Sequence, residues 1–149
     1  MGMDRVDQKI VALLQRNARM PLKQLAQQVY LSSPAVAARI ERLERQGIIT
    51  GYCATVDAKK AGYAITAFIN MVLSHQNQPA FRDFIKEQKN VLECYHVAGA
   101  FSMLLKVCFP DTAQLDLFVA QLQRFGNTQT QIVFSQVIAP RQLEFSSEQ

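Results

Sequence analysis

The amino-acid sequence predicts an α+β fold with two domains, and three observations support this prediction. The first 47 of the 149 residues carry apolar side chains at helical spacing. Residues 48–56 are rich in β-branched and aromatic side chains, and residues 64–137 alternate between strand and helix patterns. A hydrophobic content of 49% suffices for packed cores, and no apolar run reaches the ~18 residues of a membrane span. No contact with a membrane is therefore expected.

Three short helices are predicted in the front part of the chain. The first covers residues 4–17, where Asp4 and Asp7 suit the positive N-terminal end of a helix. The second follows Pro21, and a tight break at residues 30–34 separates it from the third. The apolar stripes of these helices are Val6, Ile10, Leu13 and Leu14, then Leu22, Leu25 and Val29, then Val36, Ile40 and Leu43. Three helices in this order are typical of a helix–turn–helix unit.

The third helix has clear start and stop signals. Ser32 or Ser33 can serve as its N-cap, Pro34 is tolerated in the first turn, and Gly47 supplies a left-handed stop. Small residues near its N-terminus, followed by arginines about one turn apart, suit a helix whose front end enters the major groove of DNA. The N-terminal N–H groups suit a phosphate. The candidate DNA-binding residues are Ser32, Ser33, Ala35, Ala38, Arg39, Arg42 and Arg45.

Two interpretations of this face remain open. In the first, Arg39 and Arg42 project toward a base edge or a phosphate, so that replacing either with Ala weakens DNA binding. In the second, the pattern is an ordinary helical hairpin with a solvated basic face.

The charge distribution favours the first interpretation. Residues 1–60 hold ten Lys/Arg against five Asp/Glu, whereas residues 61–149 hold six against seven, and together they give the net charge of +4. A basic front half beside a nearly neutral rear half indicates a module that binds a polyanion, joined to a domain with another task.

The residues that usually support catalysis or metal binding form no recognisable set. Cys53, Cys94 and Cys108 are odd in number and lack C-x-x-C spacing, which fits reduced thiols and a cytoplasmic location. Cys94 and His96 share one face of a predicted strand, but no further ligands lie at suitable spacing. No phosphate-binding loop or catalytic triad is present in the sequence. We expect no enzymatic activity, no metal and no cofactor.

The middle of the chain divides the two predicted domains. Residues 48–56 are predicted to form a strand that covers the three-helix core, which completes a winged-helix-like domain over residues 1–57. The polar residues 58–63 form a linker, and a second domain covers residues 64–149.

The second domain shows a βαββαβ order. Strands are predicted at residues 64–73, 91–97, 101–109 and 128–137, with amphipathic helices around Phe81 and Phe118. This order is the ferredoxin-like arrangement, which places both helices on one face of the sheet. Residues 64–73 are so apolar that burial on both faces is expected. A second copy of the sheet is the simplest cover for the open face, giving a symmetric dimer.

The whole pattern resembles the Lrp/AsnC family of transcription regulators. Each motif alone is weak, but their order and spacing together are specific. In the front part the resemblance depends on Asp4-x-x-Asp7-x-x-Ile10, Asn17-Ala18-Arg19, Leu31-Ser32 and the run from Arg39-Ile40 through Leu43-Glu44 and Gly47-Ile48-Ile49 to Gly51-Tyr52. In the rear part it depends on His96-Val97-x-Gly99, Leu104-Leu105-Lys106 and Thr128-x-Thr130-x-x-Val133.

This resemblance implies a regulator that binds double-stranded DNA. It implies homodimers, commonly assembled into homo-octamers, and a small-molecule effector, often an amino acid, bound between dimers. The implied effector-binding residues are Gly99, Ala100, Phe101, Ser102, Thr112 and Gln131. Two other functions stay open: an architectural DNA-wrapping protein without a ligand, and an enzyme of this fold that does not bind DNA.

The turn after Gly99 departs from the family pattern. Relatives typically have Gly-Asp-Tyr/Phe-Asp there, whereas this chain has Ala100 and Ser102 at the two acidic positions. The ammonium group of a free amino acid needs a carboxylate or several carbonyls, because an unpaired buried charge is costly. The ligand therefore differs, or its ammonium is bound by backbone carbonyls, or the protein has no effector.

Overall fold

The computed structural model describes residues 2–145, which divide into two compact units. The front unit contains residues 2–55 together with residues 138–145, and the rear unit is Val56–Val137. The return of residues 138–145 to the front unit differs from the predicted domain limits, which placed residues 64–149 in one domain. No helix in the described part of the chain is long and apolar enough to cross a membrane.

The front unit contains three helices with the predicted order. Helix α1 is Arg5–Arg16, α2 is Leu22–Val29 and α3 is Ser33–Arg45. Asp4 caps α1 in a reciprocal capping box with Asp7, which satisfies two N–H groups at the helix start. Of the two candidate caps for α3, the structure selects Ser32, whose hydroxyl accepts from the Ala35 N–H at 3.3 Å.

Apolar stripes from all three helices form the core of the front unit. The fully buried members include Ile10 from α1, Leu25 from α2 and Val36 from α3. Tyr30 ends α2 in the left-handed conformation with φ of 57°, and Gly47 follows α3 with φ of 70°. Both breaks stop a helix where the next segment must turn back onto the core.

The predicted strand at residues 48–56 is wrong. This segment forms turns and irregular structure, although Ile49 does pack against the helical core. A strand needs a partner for its backbone groups, and within the chain no other described segment pairs with these residues. Tyr52 instead donates its hydroxyl proton to Glu44 at 2.7 Å. Partial burial and this carboxylate raise the pKa of Tyr52 to about 12.

The rear unit is a four-stranded antiparallel sheet with two helices, and its βαββαβ order confirms the ferredoxin-like prediction. The elements are β1 Ile65–Leu73, a 3-10 turn His75–Asn77, α4 Gln78–Lys86, β2 Val91–His96, β3 Met103–Phe109, α5 Thr112–Gln123 and β4 Gly126–Ile132. The strand order across the sheet is β2-β3-β1-β4.

One face of this sheet is covered by α4 and α5, and the other is open. On β1, Ala67, Ile69 and Met71 are buried beneath the helices, whereas Val72 is 47% exposed. Within a single chain β1 is therefore fully buried on one face only, and the predicted cover of its other face by a second copy stays a prediction. Aromatic contacts, including the rings of Phe109 and Phe118 at 5.3 Å, fill the space between sheet and helices.

Strand β4 begins earlier and ends sooner than predicted. Its pairing with β1 runs from Gly126 to Ile132, and a last hydrogen bond joins the Val133 N–H to the Thr66 carbonyl at 2.9 Å. Strand β1 begins at Ile65, which this register places opposite residue 134, so residues beyond 134 have no strand to pair with, and Phe134 itself is 95% exposed.

Candidate nucleic-acid interface and effector region

The solvent face of α3 is narrower than the sequence indicated. Pro34, Ala38, Glu41 and Arg45 are exposed and follow each other at i, i+4, i+7 and i+11, which places them on one stripe. We call these four residues the α3 stripe. Ser32 is also exposed at the helix start, whereas the predicted residues Ser33 and Ala35 are half-buried beside it. The predicted DNA-binding residues did not include Pro34 and Glu41. Both lie on the side of α3 opposite the buried Val36 and Leu43, so the apolar stripe of the helix was the signal that could have identified them.

Arg39 and Arg42 do not project freely from α3, which corrects the orientation inferred from the sequence. The Arg39 Nη1 donates to Asp4 Oδ2 at 2.6 Å and to Asp7 Oδ1 at 2.8 Å. The Arg42 Nη2 donates to Asp7 Oδ2 at 2.5 Å. These two arginines therefore connect α3 to the start of α1. Their contact with DNA stays a prediction, and any such contact competes with the ion pairs.

Asp7 is the centre of this cluster of charges. Its side chain is 1% exposed, while those of Arg39 and Arg42 are 27% and 40% exposed. A buried carboxylate is unfavourable unless it is paired and hydrogen-bonded, and Asp7 meets this condition with three donors. The hydrogen bond from Arg39, followed by that from the Asp7 N–H, lowers the pKa of Asp4. Two acids and two arginines thus form a cluster without net charge.

Arg45 differs from the other two arginines of α3. It is exposed in the last turn of the helix and forms no ion pair with any residue from 2 to 145. Among the three predicted arginines, Arg45 is the one whose positive charge is left uncompensated by the described structure.

The predicted effector turn is held by its own hydrogen bonds. Gly99 has φ of 131°, a left-handed value that favours glycine, and Ala100 is exposed. The Ser102 hydroxyl accepts from the Leu73 N–H at 2.8 Å and donates to the Met71 carbonyl at 3.2 Å. Ser102 therefore anchors the turn to the end of β1, and its hydroxyl is not free for a ligand as the sequence suggested.

The remaining predicted effector residues do not converge in one chain. Ser102 precedes β3, whereas Thr112 follows it at the start of α5, and the six steps of β3 span about 20 Å. Gln131 lies on β4 opposite Phe68, near the middle of β1, and is exposed. Phe101 is half-buried beside Ser102. A pocket that contains both the turn and Thr112 would need residues from more than one protomer.

The candidate metal residues remain isolated. Cys94 and His96 pair with Leu105 and Met103 and so share one sheet face, as predicted. Burial raises the pKa of the Cys94 thiol. Within residues 2–145 no group of three or more His, Cys, Asp or Glu side chains is arranged to hold a metal ion.

A groove in the front unit was not predicted from the sequence. It lies between α1 and residues 138–145 and has a volume of about 850 Å³. The Gln15 side chain donates to the Leu143 carbonyl at 3.1 Å and accepts from the Leu143 N–H at 3.0 Å, which fixes the C-terminal segment there. Because the partners lie 128 residues apart, no local sequence signal could have found this contact.

Comparison with protein-family models identifies both halves of the chain. Residues 3–44 match the AsnC-type helix-turn-helix domain, and residues 66–143 match the Lrp/AsnC ligand binding domain. The chain belongs to the Lrp/AsnC family. This Lrp/AsnC protein is a DNA-binding transcriptional regulator, and the relatives' names as regulators support the expectation that it is not an enzyme.

Individual relatives cover most of this Lrp/AsnC chain. It is 35% identical to the Bacillus subtilis regulator LrpA, over 87% of this chain and 96% of LrpA. It is 39% identical to the proline dehydrogenase transcriptional activator of Rhodobacter capsulatus, over 74% of each.

Two solved structures have the same fold. Bacillus subtilis LrpC gives a TM-score of 0.89 at 27% identity, covering 94% of this chain and all of LrpC. A Neisseria meningitidis transcriptional regulator, solved as an L-Met complex, gives 0.88 at 26% identity and covers 95% and 96%.

Proposed function

We propose that this regulator docks the α3 stripe into the major groove of DNA, with the N-terminus of α3 leading. The observation that carries this proposal is the exposed, small-residue start of α3 at Ser32, Pro34 and Ala38, inside a matched AsnC-type helix-turn-helix domain. Small side chains permit close approach of the helix to base edges, and the N-terminal N–H groups suit a phosphate. Ser33 and Ala35 border this contact, and Arg45 adds a cation at the other end of the helix.

The open face of the rear sheet supports a homodimer. Val72 and Tyr95 are about half exposed there, and a symmetric partner sheet would remove them from water. Assembly of such dimers into octamers is part of the same proposal, as is a cytoplasmic location, which the free cysteines favour. The oligomer would also bring the Gly99–Ser102 turn of one protomer near Thr112 or Gln131 of another.

The effector proposed for this regulator is a small polar molecule without a free ammonium group. The Neisseria relative was solved with L-Met, which shows that an amino acid can be the ligand of a relative. In this chain Ala100 has no charge and the Ser102 hydroxyl already serves the backbone. Absence of a charge-assisted hydrogen bond typically costs ~1.5–3 kcal/mol, or about ten- to a hundredfold in affinity. Ordinary amino acids should therefore bind in the millimolar range or more weakly.

Calorimetry of the full chain against the twenty amino acids tests the effector proposal. Ala100→Asp restores one acid at an exposed position without breaking the Ser102 anchor, and it should raise amino-acid affinity if the pocket is otherwise intact. Ala98→Asp, which places the same charge at an exposed position outside the turn, is the matched control. Micromolar binding of any amino acid to the wild-type protein would show that backbone carbonyls suffice and would contradict this proposal.

An architectural role without an effector is the second candidate, and the uncharged Gly99–Ser102 turn favours it. If a wider metabolite panel changes neither the melting temperature nor DNA affinity, the architectural role is supported over the ligand-responsive one.

A further inference from the structure

We propose that Asp7 and Asp4 withhold Arg39 and Arg42 from the DNA phosphates and thereby lower the sequence-independent part of the regulator's DNA affinity. The inference rests on the proposed function, because it requires α3 to be the helix that meets DNA. Asp4 and Asp7, at the start of α1, would then limit how strongly α3 binds a duplex of any sequence.

The first support is the geometry of the ion pairs. Arg39 is shared between Asp4 and Asp7 at 2.6 and 2.8 Å, and Arg42 is bound by the second oxygen of Asp7 at 2.5 Å. Hydrogen bonds between a guanidinium and a carboxylate are charge-assisted, and these are the strong ones among protein hydrogen bonds. Both guanidinium groups are therefore already paired with carboxylates in the protein without DNA.

The second support is the burial of Asp7. With 1% of its side chain exposed, Asp7 cannot recover hydration if an arginine leaves for a phosphate. Each departure would leave a buried carboxylate short of a donor, which is costly. In addition, the Arg42 Nε is itself buried without a hydrogen-bond partner among the described residues, so this side chain is held by its Nη2. The network thus opposes transfer of either arginine to DNA.

The third support is the charge balance. Two acids and two arginines give a cluster without net charge, beside a stripe on which Glu41 and Arg45 also have opposite signs. A duplex that approaches α3 therefore meets little net positive charge from this helix. Since non-specific affinity depends on cations that replace the counterions of DNA, this arrangement leaves more of the binding to contacts in the groove.

Removal of one acid at a time tests the inference. Asp4→Asn keeps a good N-cap for α1, and Asp7→Asn keeps one carbonyl oxygen as an acceptor, but each change uncovers one positive charge. Affinity for a duplex of random sequence is measured with the full chain at salt concentrations from 50 to 200 mM. Asp116→Asn, an exposed acid on α5, is the control for the same change of net charge elsewhere.

The expected result is a steeper dependence on salt. Each uncovered arginine that reaches a phosphate adds about 0.9 to the slope of log affinity against log salt. The fall in affinity between 50 and 200 mM then grows about 3.5-fold per acid removed, and binding at 50 mM is tighter than wild type. Asp116→Asn should leave the slope unchanged. If Asp7→Asn does not fold, Asp4→Asn decides, because it leaves Asp7 as the one acid for both arginines and so one positive charge uncompensated. Asp4 is half exposed and its capping role is retained, so this variant should fold.

Two results would overturn the inference. An unchanged slope with weaker binding would mean that the acids position the arginines on DNA. An unchanged slope with unchanged affinity would mean that the arginines do not reach DNA in either state. Failure of the proposed function is distinct from both, because the wild-type protein would then not bind duplex DNA, or would bind equally well with an acid placed on the α3 stripe.

Discussion

Replacing Ser102 with Ala should destabilise the rear unit, because the Ser102 hydroxyl serves the backbone of β1. The hydroxyl accepts from the Leu73 N–H at 2.8 Å and donates to the Met71 carbonyl at 3.2 Å. The Ser102 N–H also donates to the Met71 carbonyl, so that acceptor keeps one partner after the change. The main loss is the partner of the Leu73 N–H, which lies in a half-buried position.

An unsatisfied buried donor costs about 1–3 kcal/mol of unfolding free energy. For a unit of this size each kcal/mol corresponds to about 4–8 °C in melting temperature. The shift should be visible in both urea and thermal unfolding followed by circular dichroism. The midpoint should move while the urea slope stays the same, because the surface exposed on unfolding does not change.

Two variants make the result interpretable. Ser74→Ala is the same substitution at an exposed serine whose side chain makes no capping bond, and it should leave stability nearly unchanged. Ser102→Thr keeps a hydroxyl and should retain most of the stability. If Ser102→Ala unfolds at the same urea concentration as Ser74→Ala, the hydroxyl does not anchor the turn and the reasoning is refuted.

Two further predictions concern each unit separately. Gly126→Ala should lower the stability of the rear unit by about 1–3 kcal/mol or more in urea unfolding, because a Cβ would lie 2.0 Å from the Val72 carbonyl oxygen. Gly47→Ala should lower the free energy of unfolding by less, because nothing lies within 4 Å of the added Cβ and only the left-handed φ of 70° opposes a side chain. An equal loss in the two variants would contradict the clash at Gly126. The ion pair with Arg39 lowers the pKa of Asp4 below the ordinary value of 3.8. The pair therefore stabilises the front unit at pH values above 3.8, and this stabilisation is lost as the pH falls through the lower pKa of the folded state. Urea unfolding from pH 5 to 2 should therefore show a shallower pH dependence for Asp4→Asn, and parallel curves would exclude a contribution from this pair.

Local sequence signals were sufficient for most of the fold. The caps of α1 and α3, the apolar stripes around Ile10 and Val36, and the βαββαβ order are all encoded within a few residues of where they act. For the same reason the outer limits of the strands were less accurate. The end of β4 is decided by where β1 begins, and that information lies more than 60 residues away.

The predictions that failed depend on contacts between residues far apart in the chain. Arg39 and Arg42 were assigned to DNA because their spacing on α3 is that of a basic face, but Asp7 lies 32 and 35 residues earlier in the chain. The same limit applies to residues 48–56, whose composition suits a strand although the chain offers no partner for it. The family resemblance suggested the effector residues, which stay a prediction, but could not show that the Ser102 hydroxyl already bonds to the backbone.

The most direct test of the account is the DNA affinity of an Ala38→Asp variant. Ala38 is exposed at the centre of the α3 stripe, so its replacement should leave the fold unchanged and place a carboxylate against the duplex. Ala120→Asp on the exposed side of α5 is the matched control. Affinity is measured by fluorescence anisotropy of the full chain on a duplex selected from a random pool. Like-charge contact typically costs several kcal/mol, so Ala38→Asp should weaken binding on the order of 100-fold or more while Ala120→Asp binds as the wild type does. Equal binding by Ala38→Asp and the wild type would show that α3 is not the helix that meets DNA.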